Sequence, residues 1–258
     1  MAHPASDSTF NEVAQQHFQK KGFVVFKKAL PTELRQAVVA LATKHLAPLM
    51  APVEYEADVG YPGAPSDREA DGGQTARRLL HAYARDEVLD RLVRIPPVVQ
   101  ALRTLLGPGV EMSQCHHNCI MTKHPGYSSA TLWHQDIRYW SFDKPELISA
   151  WYALGEENKH NGALQVIPGS HLLDLDRGRL DGDLFLRPEL PENQSLIDAQ
   201  ETVALDPGDV LLFHCRLFHA AGQNLTDQVK LTPVFTFHSA DNLPIPQTRS
   251  ARFGSIKI

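Results

Sequence analysis

The sequence predicts an α+β protein that is mainly β: a jelly-roll type of β barrel with flanking N-terminal helices. Two observations predict this fold. Apolar residues follow helical spacing through much of the first 109 residues, whereas short β-type runs separated by turn residues fill positions 110–258. A barrel of this length is usually one domain. We therefore expect a single domain over residues 1–258, with residues 1–109 as helical support and residues 110–258 as the barrel.

The helical half contains several separate elements. Residues 9–49 carry two amphipathic helical patterns, and the strand-like stretch GFVVF lies between them. A further helical stretch covers about 86–106, in which Pro96 and Pro97 are expected to start a new helix rather than kink an old one. Residues 51–74 are rich in Gly, Pro, Asp and Glu and show no period, which predicts a long binding loop or lid.

The β half consists of short runs bounded by turn signals such as Pro-Gly, Asn-Gly and Asp-Pro-Gly-Asp. Residues 172–199, which are acidic and contain prolines, interrupt this pattern and are a second candidate lid. The β-type runs are MSQCHHNCIMTK, ELISAWYAL, ALQVIP, ETVAL, DVLLFHCRLFHAAG and KLTPVFTFHSA.

The overall composition excludes several classes of protein. With 43% hydrophobic and 21% charged residues the chain is neither disordered nor fibrous, and a net charge of −5 disfavours nucleic acid as a partner. No run approaches the roughly 18 consecutive apolar residues that span a membrane. The first ten residues, MAHPASDSTF, lack the basic start and apolar run of a signal peptide, so we expect a cytoplasmic protein. The oligomeric state is not specified by these features.

The three cysteines are an odd number without a C-x-x-C pair, which is typical of reduced thiols. Cys115 and Cys119, with His116 and His117 between them, are an alternative zinc site. The strand-like mixing of apolar and polar residues in this segment, and the lack of a second half-site after it, argue against zinc.

The most informative motif is His134-Gln135-Asp136. On a strand, residues two apart project to the same side, so the imidazole and the carboxylate of an H-x-D motif can bind one metal ion. His219, 83 residues after Asp136, is the expected third ligand, although His214 lies only five residues before it. Two histidines and one carboxylate leave open positions on an octahedral Fe(II), as non-haem iron oxygenases require.

Several segments taken in order resemble the phytanoyl-CoA dioxygenase family of Fe(II)/2-oxoglutarate-dependent oxygenases. The resemblance implies a double-stranded β-helix (cupin-like) catalytic barrel, with Fe(II), 2-oxoglutarate and O₂ as cofactor and cosubstrates. It also implies that His134, Asp136 and His219 are both the metal ligands and the catalytic residues. The matching stretches are GFVVFKKAL, WHQDIRYW, ISAWYALGEENKHNGALQVIPGSH and LDPGDVLLFHCRLFHAAGQN, and they cover the barrel from about residue 123 to 239.

One departure from the family lies at the expected cosubstrate anchor. Where the family usually has an arginine that clamps the distal carboxylate of 2-oxoglutarate, this sequence has Lys230. A lysine neutralises a carboxylate as a point charge but cannot make the planar two-pronged contact of arginine. Thr232, two residues further on the same strand face, is expected to donate a hydroxyl. Arg216 and Arg138 are the alternative anchors.

Further contacts to 2-oxoglutarate are expected from neighbouring segments. Trp151 aligns with a family tryptophan that lines the cosubstrate pocket, and Cys119 and Lys123 precede the H-x-D motif where the family also lines it. For Trp151 and Cys119 a purely structural role as buried hydrophobes is the alternative. Gln135, inside the motif itself, is assigned to the same pocket. Asn224 is expected to hold the loop that follows His219.

The resemblance implies hydroxylation of a C–H bond in a small organic substrate, with release of succinate and CO₂. Because related halogenases have a small residue at the position of Asp136, hydroxylation is favoured over halogenation. The alternatives are an inactive barrel that binds a metal or ligand for regulation, and a zinc hydrolase with the same ligands. A CoA thioester, a free acid, an amino acid and a secondary metabolite all remain open as substrate. The arginines that could meet an anionic substrate are Arg77, Arg78, Arg138 and Arg216.

Overall fold

The computed structural model describes residues 10–258, and most of the N-terminal stretch on which the signal-peptide prediction depends lies outside this range. The helices are α1 (Glu12–Lys21), α2 (Thr32–Leu46), α3 (Glu87–Val93), α4 (Pro96–Leu106) and α5 (Pro191–Ile197). The strands are β1 (Phe23–Phe26), β2 (Val53–Tyr55), β3 (Ala76–Leu80), β4 (Val110–Lys123), β5 (Thr131–His134), β6 (Leu147–Tyr152), β7 (Leu164–Val166), β8 (Glu201–Thr202), β9 (Val210–His214), β10 (His219–Ala221), β11 (Lys230–Ser239) and β12 (Ile256–Lys257).

The strands form two antiparallel sheets that face each other. The larger sheet has the order β1-β9-β6-β11-β4-β3-β2, with β12 also paired to β4, and the smaller has the order β5-β10-β7-β8. This is the predicted jelly-roll barrel, flanked by helices from the N-terminal half of the chain. The fold class predicted from the sequence is therefore confirmed.

Successive residues of the larger sheet point to opposite faces, so the two faces pack into two different apolar clusters. On β11, Phe235 and Phe237 pack into a cluster with buried residues of α2 and α4, such as Val38 and Leu102. Their neighbour Val234 instead faces the smaller sheet. The helices thus close the outer face of the large sheet, and the inner face remains available for a site between the sheets.

The helix boundaries follow local sequence signals. Asn11 caps α1 by accepting a hydrogen bond from the Ala14 N–H, and Gly22 ends the helix in the left-handed conformation. The separate helix expected at the paired prolines is present, because α4 begins at Pro96.

Both segments predicted as long loops contain regular structure. Residues 51–74 include β2, which adds an edge strand to the large sheet, and a short 3₁₀ helix at Glu56–Asp58. Residues 172–199 include α5, whose first residue is a proline that needs no N–H partner there. These elements are too short to give a period that can be recognised in the sequence. A role as a lid stays a prediction for both segments.

A large irregularity in the β4/β11 pairing brings one further histidine to the centre of the barrel. Phe235 pairs with Asn118, but the next residue, Thr236, pairs with Ser113, so residues 114–117 bulge out of the ladder. Within this bulge His116 has a positive φ of 62°. The bulge contains most of the segment that we considered as a zinc site.

Candidate metal centre and cosubstrate pocket

Strand register brings the two predicted histidine ligands together. His134 is the last residue of β5, and the β5/β10 ladder pairs it directly with His219, the first residue of β10. Asp136 opens a short 3₁₀ helix immediately after β5, which turns its carboxylate back toward both imidazoles. The Nε2 atoms of His134 and His219 each lie 3.4 Å from Asp136 Oδ1.

Hydrogen bonds to the backbone fix the tautomer of both histidines. His134 Nδ1 lies 2.8 Å from the Leu132 carbonyl oxygen, and His219 Nδ1 lies 3.0 Å from the Leu217 carbonyl oxygen. Since a carbonyl can only accept, each Nδ1 must carry the proton. In the neutral form of each ring, Nε2 therefore has a lone pair, as a metal ligand requires.

The Asp136 carboxylate is fully buried, and neither of its oxygens has a hydrogen-bond partner among residues 10–258. Burial alone would raise the pKa of Asp136, but the facing His117 and His219 hold it well below its usual range. Burial and the charge of His219 lower the pKa of His134 to about 4. Asp136 raises the pKa of His219 despite its burial, so metal binding would displace any proton that His219 Nε2 holds beside the carboxylate.

These three side chains fit a divalent transition metal. One donor atom from each of His134, Asp136 and His219 lies within 4.8 Å of the others, and no other group of three or more potential ligands occurs in residues 10–258. A buried carboxylate without donors is costly unless a cation compensates it. An ion bound here would satisfy both the orphaned oxygens and the free Nε2 atoms.

The other candidate ligands lie elsewhere. His214 accepts a hydrogen bond from the Arg216 N–H at 3.1 Å and packs against His171, outside the cluster. Cys115 and Cys119 are buried free thiols that are not brought together with a third ligand. The zinc site considered from the sequence is therefore not formed among the described residues.

His117 is a neighbour of the cluster that the sequence did not reveal. Its Nδ1 lies 3.4 Å from Asp136 Oδ2, on the side away from the other two histidines. Burial lowers the pKa of His117 to about 4. Only the bulge in β4 brings this residue here, and no pattern in the sequence predicts a bulge of that length.

A pocket extends from the three-residue cluster into the barrel, between the two sheets. Lys230, Thr232 and Trp151, which we predicted to contact the cosubstrate, line its far end. The other polar or charged lining residues are Arg77, Arg78, His117, Thr122, Lys123 and Thr131. Apolar walls are supplied by Met121, Leu164, Phe213, Ala220 and Ala221.

Two residues expected in this pocket lie outside it. Gln135 lies in extended backbone between β5 and the 3₁₀ helix, does not line the pocket, and donates its side-chain amide to the Arg216 carbonyl. Cys119 is fully buried in the apolar cluster that includes Trp151 and does not reach the pocket surface. Burial raises the pKa of the Cys119 thiol to about 12, so it is an inert hydrophobe.

The alternative anchors are also outside the pocket. Arg138 stacks 4.1 Å above the Phe185 ring, and Arg216 donates to the Leu173 carbonyl at 2.8 Å. Neither lines the pocket, whereas Lys230 does. Asn224, by contrast, lies where a loop-holding role requires, because its side-chain amide donates to two backbone carbonyls around the loop after His219.

The far end of the pocket also contains a carboxylate that no pattern in the sequence singles out. Glu157 accepts hydrogen bonds from Lys230 Nζ at 2.9 Å, Thr232 Oγ1 at 2.7 Å and Trp151 Nε1 at 3.0 and 3.1 Å. Its neighbour Glu156 is exposed, and nothing in the sequence distinguishes the two glutamates.

Comparison with known proteins agrees with the fold and the site. The sequence model of the family described as "Phytanoyl-CoA dioxygenase (PhyH)" matches residues 18–232. The human peroxisomal phytanoyl-CoA dioxygenase is 25% identical over 235 residues, which cover 87% of this chain and 67% of the human protein. The ectoine dioxygenase of Sphingopyxis alaskensis is 26% identical over 183 residues, which cover 64% of this chain and 58% of that protein.

Solved structures show the same architecture. EctD from S. alaskensis with 2-oxoglutarate and 5-hydroxyectoine superposes with a TM-score of 0.75 at 20% identity, over 98% of this chain and 87% of EctD. The epimerase SnoN in complex with Fe³⁺, α-ketoglutarate and nogalamycin RO gives a TM-score of 0.71 at 21% identity, over 91% of this chain and 86% of SnoN. No helix within residues 10–258 has the length and apolar character to cross a membrane. The chain belongs to the phytanoyl-CoA dioxygenase family and is a non-haem iron dioxygenase that uses 2-oxoglutarate and O₂.

Proposed function

We propose that His134, Asp136 and His219 bind Fe(II), and that the protein hydroxylates a C–H bond of a small organic substrate while 2-oxoglutarate is converted to succinate and CO₂. The observation that carries the proposal is the Asp136 carboxylate, which is buried without a donor and faced by the free Nε2 atoms of both histidines. Iron in such a two-histidine, one-carboxylate site supplies the oxidising chemistry.

The protein's own residues orient the ligands and exclude water. The carbonyls of Leu132 and Leu217 hold the two imidazoles in the tautomer that leaves Nε2 free. Leu164 and Phe213 contribute apolar walls that keep bulk water from the reacting groups. Within the helical half, residues 1–109, the described residues from 10 onward share an apolar core with the barrel, residues 110–258, and we infer that the two halves act as one domain.

The cosubstrate lies between the metal ligands and the far end of the pocket. Its 2-oxo acid end would meet a metal held by His134, Asp136 and His219, and its distal carboxylate would point toward Lys230 and Thr232, which line the pocket with Trp151. Lys230 Nζ lies 5.2 Å from the centre of the Trp151 ring, so these side chains form one continuous wall.

The substrate is a small molecule with an anionic group. Arg78 supports this part of the proposal because its guanidinium is buried, lines the pocket and is only partly compensated, with its Nε 3.4 Å from Glu54 and without a hydrogen-bond partner. Arg138 has a buried Nη1 that also has no hydrogen-bond partner among the described residues. A cytoplasmic location and the absence of a nucleic-acid partner stay predictions from the sequence.

One experiment tests the proposal against an inactive barrel and a zinc hydrolase. Fe(II) added to the metal-free protein without oxygen, followed by 2-oxoglutarate, should give the visible charge-transfer band expected from the family resemblance. Admission of air should then produce succinate. Protein loaded with Zn(II) is the matched control and should give neither signal. Iron binding without the band and without succinate would support the inactive barrel instead.

A further inference from the structure

The far end of the pocket differs from its metal end because its principal cation is already paired. Lys230 Nζ lies 2.9 Å from Glu157 Oε2, and their side chains are 5% and 1% exposed. Thr232 and Trp151 direct their donors at the same carboxylate. An ammonium with a carboxylate at this distance offers N–H donors to a ligand but adds almost no net charge.

Glu157 is held in this position by the backbone as well as by its side chain. Its N–H donates to the Leu205 carbonyl at 2.8 Å, and its carbonyl accepts from the Leu205 N–H at 3.0 Å. Glu157 is not among the pocket-lining residues, so its carboxylate lies behind Lys230 and Thr232. Moving it would leave Lys230 and the other donors unsatisfied, which favours retention of the pair when a ligand enters.

Of the other cations that line the pocket, Arg78 is only partly compensated by Glu54, whereas Lys123 and Arg77 do not provide a strong free charge. Lys123 stands opposite Lys230 in the β4/β11 register and donates to two backbone carbonyls at 2.8 and 2.7 Å. Burial, together with the charges of Lys230 and Arg77, lowers the pKa of the Lys123 ammonium to about 7, although Glu56 and Glu157 oppose this shift. Arg77 lies 3.3 Å from Glu56 Oε2.

We propose that Glu157 sets the cosubstrate selectivity of this pocket by neutralising Lys230, so that the distal carboxylate of 2-oxoglutarate adds little to binding and 2-oxo acids with an uncharged tail are also admitted. The inference rests on the proposed function, since it takes the pocket as the cosubstrate site. 2-Oxoglutarate and 2-oxopentanoate share the five-carbon chain and the 2-oxo acid end and differ only in the distal carboxylate. The ratio of their affinities therefore measures what that carboxylate contributes.

Calorimetric titration of Mn(II)-loaded protein with each acid measures this ratio without turnover. In the wild-type protein we expect the two dissociation constants to lie within about tenfold of each other, because the anchor has no net charge to offer. Glu157→Gln keeps the shape of the side chain and removes its charge. It should tighten 2-oxoglutarate by about tenfold or more and leave 2-oxopentanoate unchanged.

Lys230→Arg is the matched control, because it introduces the arginine usual in the family while Glu157 remains. Its selectivity should stay close to that of the wild type, since the guanidinium would also be paired by Glu157. Combined with Glu157→Gln, the same arginine should give the strongest preference for 2-oxoglutarate. The double variant also reports on the proposal if Glu157→Gln alone does not fold, which thermal unfolding would show.

Two results would overturn the inference. The first is a wild-type preference for 2-oxoglutarate over 2-oxopentanoate of about a hundredfold or more, which Glu157→Gln does not increase and Lys123→Met abolishes. In that case the positive charge that binds the distal carboxylate would come from Lys123. The second is an equal change in affinity for both acids on replacing Glu157, which would indicate a structural role only. Failure of the proposed function looks different, because the wild-type protein would then bind neither Mn(II) nor either acid.

Discussion

Two buried carboxylates mark the two ends of the pocket, and their surroundings are opposite. Asp136 has no hydrogen-bond donor within the described part of the chain and only imidazole nitrogens at 3.4 Å. Glu157 receives hydrogen bonds from three side chains, and one of them, from Lys230 at 2.9 Å, is also an ion pair. An isolated buried charge is costly. The metal end, with Asp136, therefore needs a cation from outside the chain, whereas the charge of Glu157 at the far end is already compensated within it.

The largest effect is expected at the incomplete end. Asp136→Asn preserves the shape of the side chain but removes the one anionic ligand, so affinity for Fe(II) should fall by more than the roughly 100-fold that changes in outer residues cost. Succinate production coupled to substrate oxidation should be abolished. Metal titration of the purified variant, together with succinate assays, measures both effects.

The metal-free Asp136→Asn variant also sharpens the comparison. Because the neighbouring imidazoles hold the pKa of Asp136 well below its usual range, its charge is partly compensated without metal, so Asp136→Asn should lower the free energy of unfolding of the metal-free protein less than it lowers the stabilisation that Fe(II) provides. Normal succinate production by this variant would show that Asp136 is not a ligand. Marked loss of stability without any loss of iron would indicate that Asp136, like Glu157, is satisfied within the chain.

A second prediction separates two histidines that are five residues apart. His219→Ala removes an Nε2 that faces Asp136, and iron binding and turnover should be lost. His214→Ala is the matched control, because His214 is half-buried and accepts a hydrogen bond from the backbone outside the cluster. That variant should keep its iron while losing some stability. Equal loss of iron from both would leave the choice of His219 unsupported.

The metal end could be predicted from the sequence because the H-x-D spacing is a local signal and the later histidine block follows in the expected order, although Asp136 itself lies in a 3₁₀ helix just after β5. His134 and Asp136 are two residues apart, and the His219 block lies where a paired strand is expected. The far end could not be predicted in the same way. Glu157 lies in a turn that becomes part of the barrel only through its bridge to Leu205, and this contact between distant segments leaves no local pattern.

The same distinction applies to the fold. The amphipathic periods of α2 and the paired prolines of α4 predict real helices because each signal lies within the element itself. The bulge in β4 depends on how two long strands match in length, and β2 is a three-residue edge strand that only its partner β3 defines. The sequence therefore does not predict elements that are defined by a paired strand, but it does predict those whose signal lies in their own residues.

A third prediction addresses the complete end directly. Lys230→Met keeps the length of the side chain and leaves Glu157 as a buried charge without its cation, so the free energy of unfolding should fall by about 3–5 kcal/mol. Adding Glu157→Gln removes the stranded charge, keeps an acceptor for Thr232 and Trp151, and should restore much of the loss. Denaturant unfolding of the two variants and the wild type measures both steps. If Lys230→Met costs no stability, the Lys230–Glu157 pair does not hold the far end together.

The smallest effect is expected from a single hydroxyl, and β11 offers a matched pair of positions for it. Thr232 donates to the charged Glu157 at 2.7 Å, whereas Thr236, four residues along the same strand, bonds to the neutral Ser149 hydroxyl at 2.8 Å. Both side chains are at most 1% exposed, and valine fits either position of a β-strand. Because a hydrogen bond to a charged group contributes about 1.5–3 kcal/mol and one between neutral groups about 0.5–1.5 kcal/mol, Thr232→Val should lower the free energy of unfolding more than Thr236→Val. Urea unfolding of the two variants measures the difference. A larger loss of stability from Thr236→Val than from Thr232→Val would mean that the other donors are enough to hold Glu157 and that the hydroxyl of Thr232 is not needed.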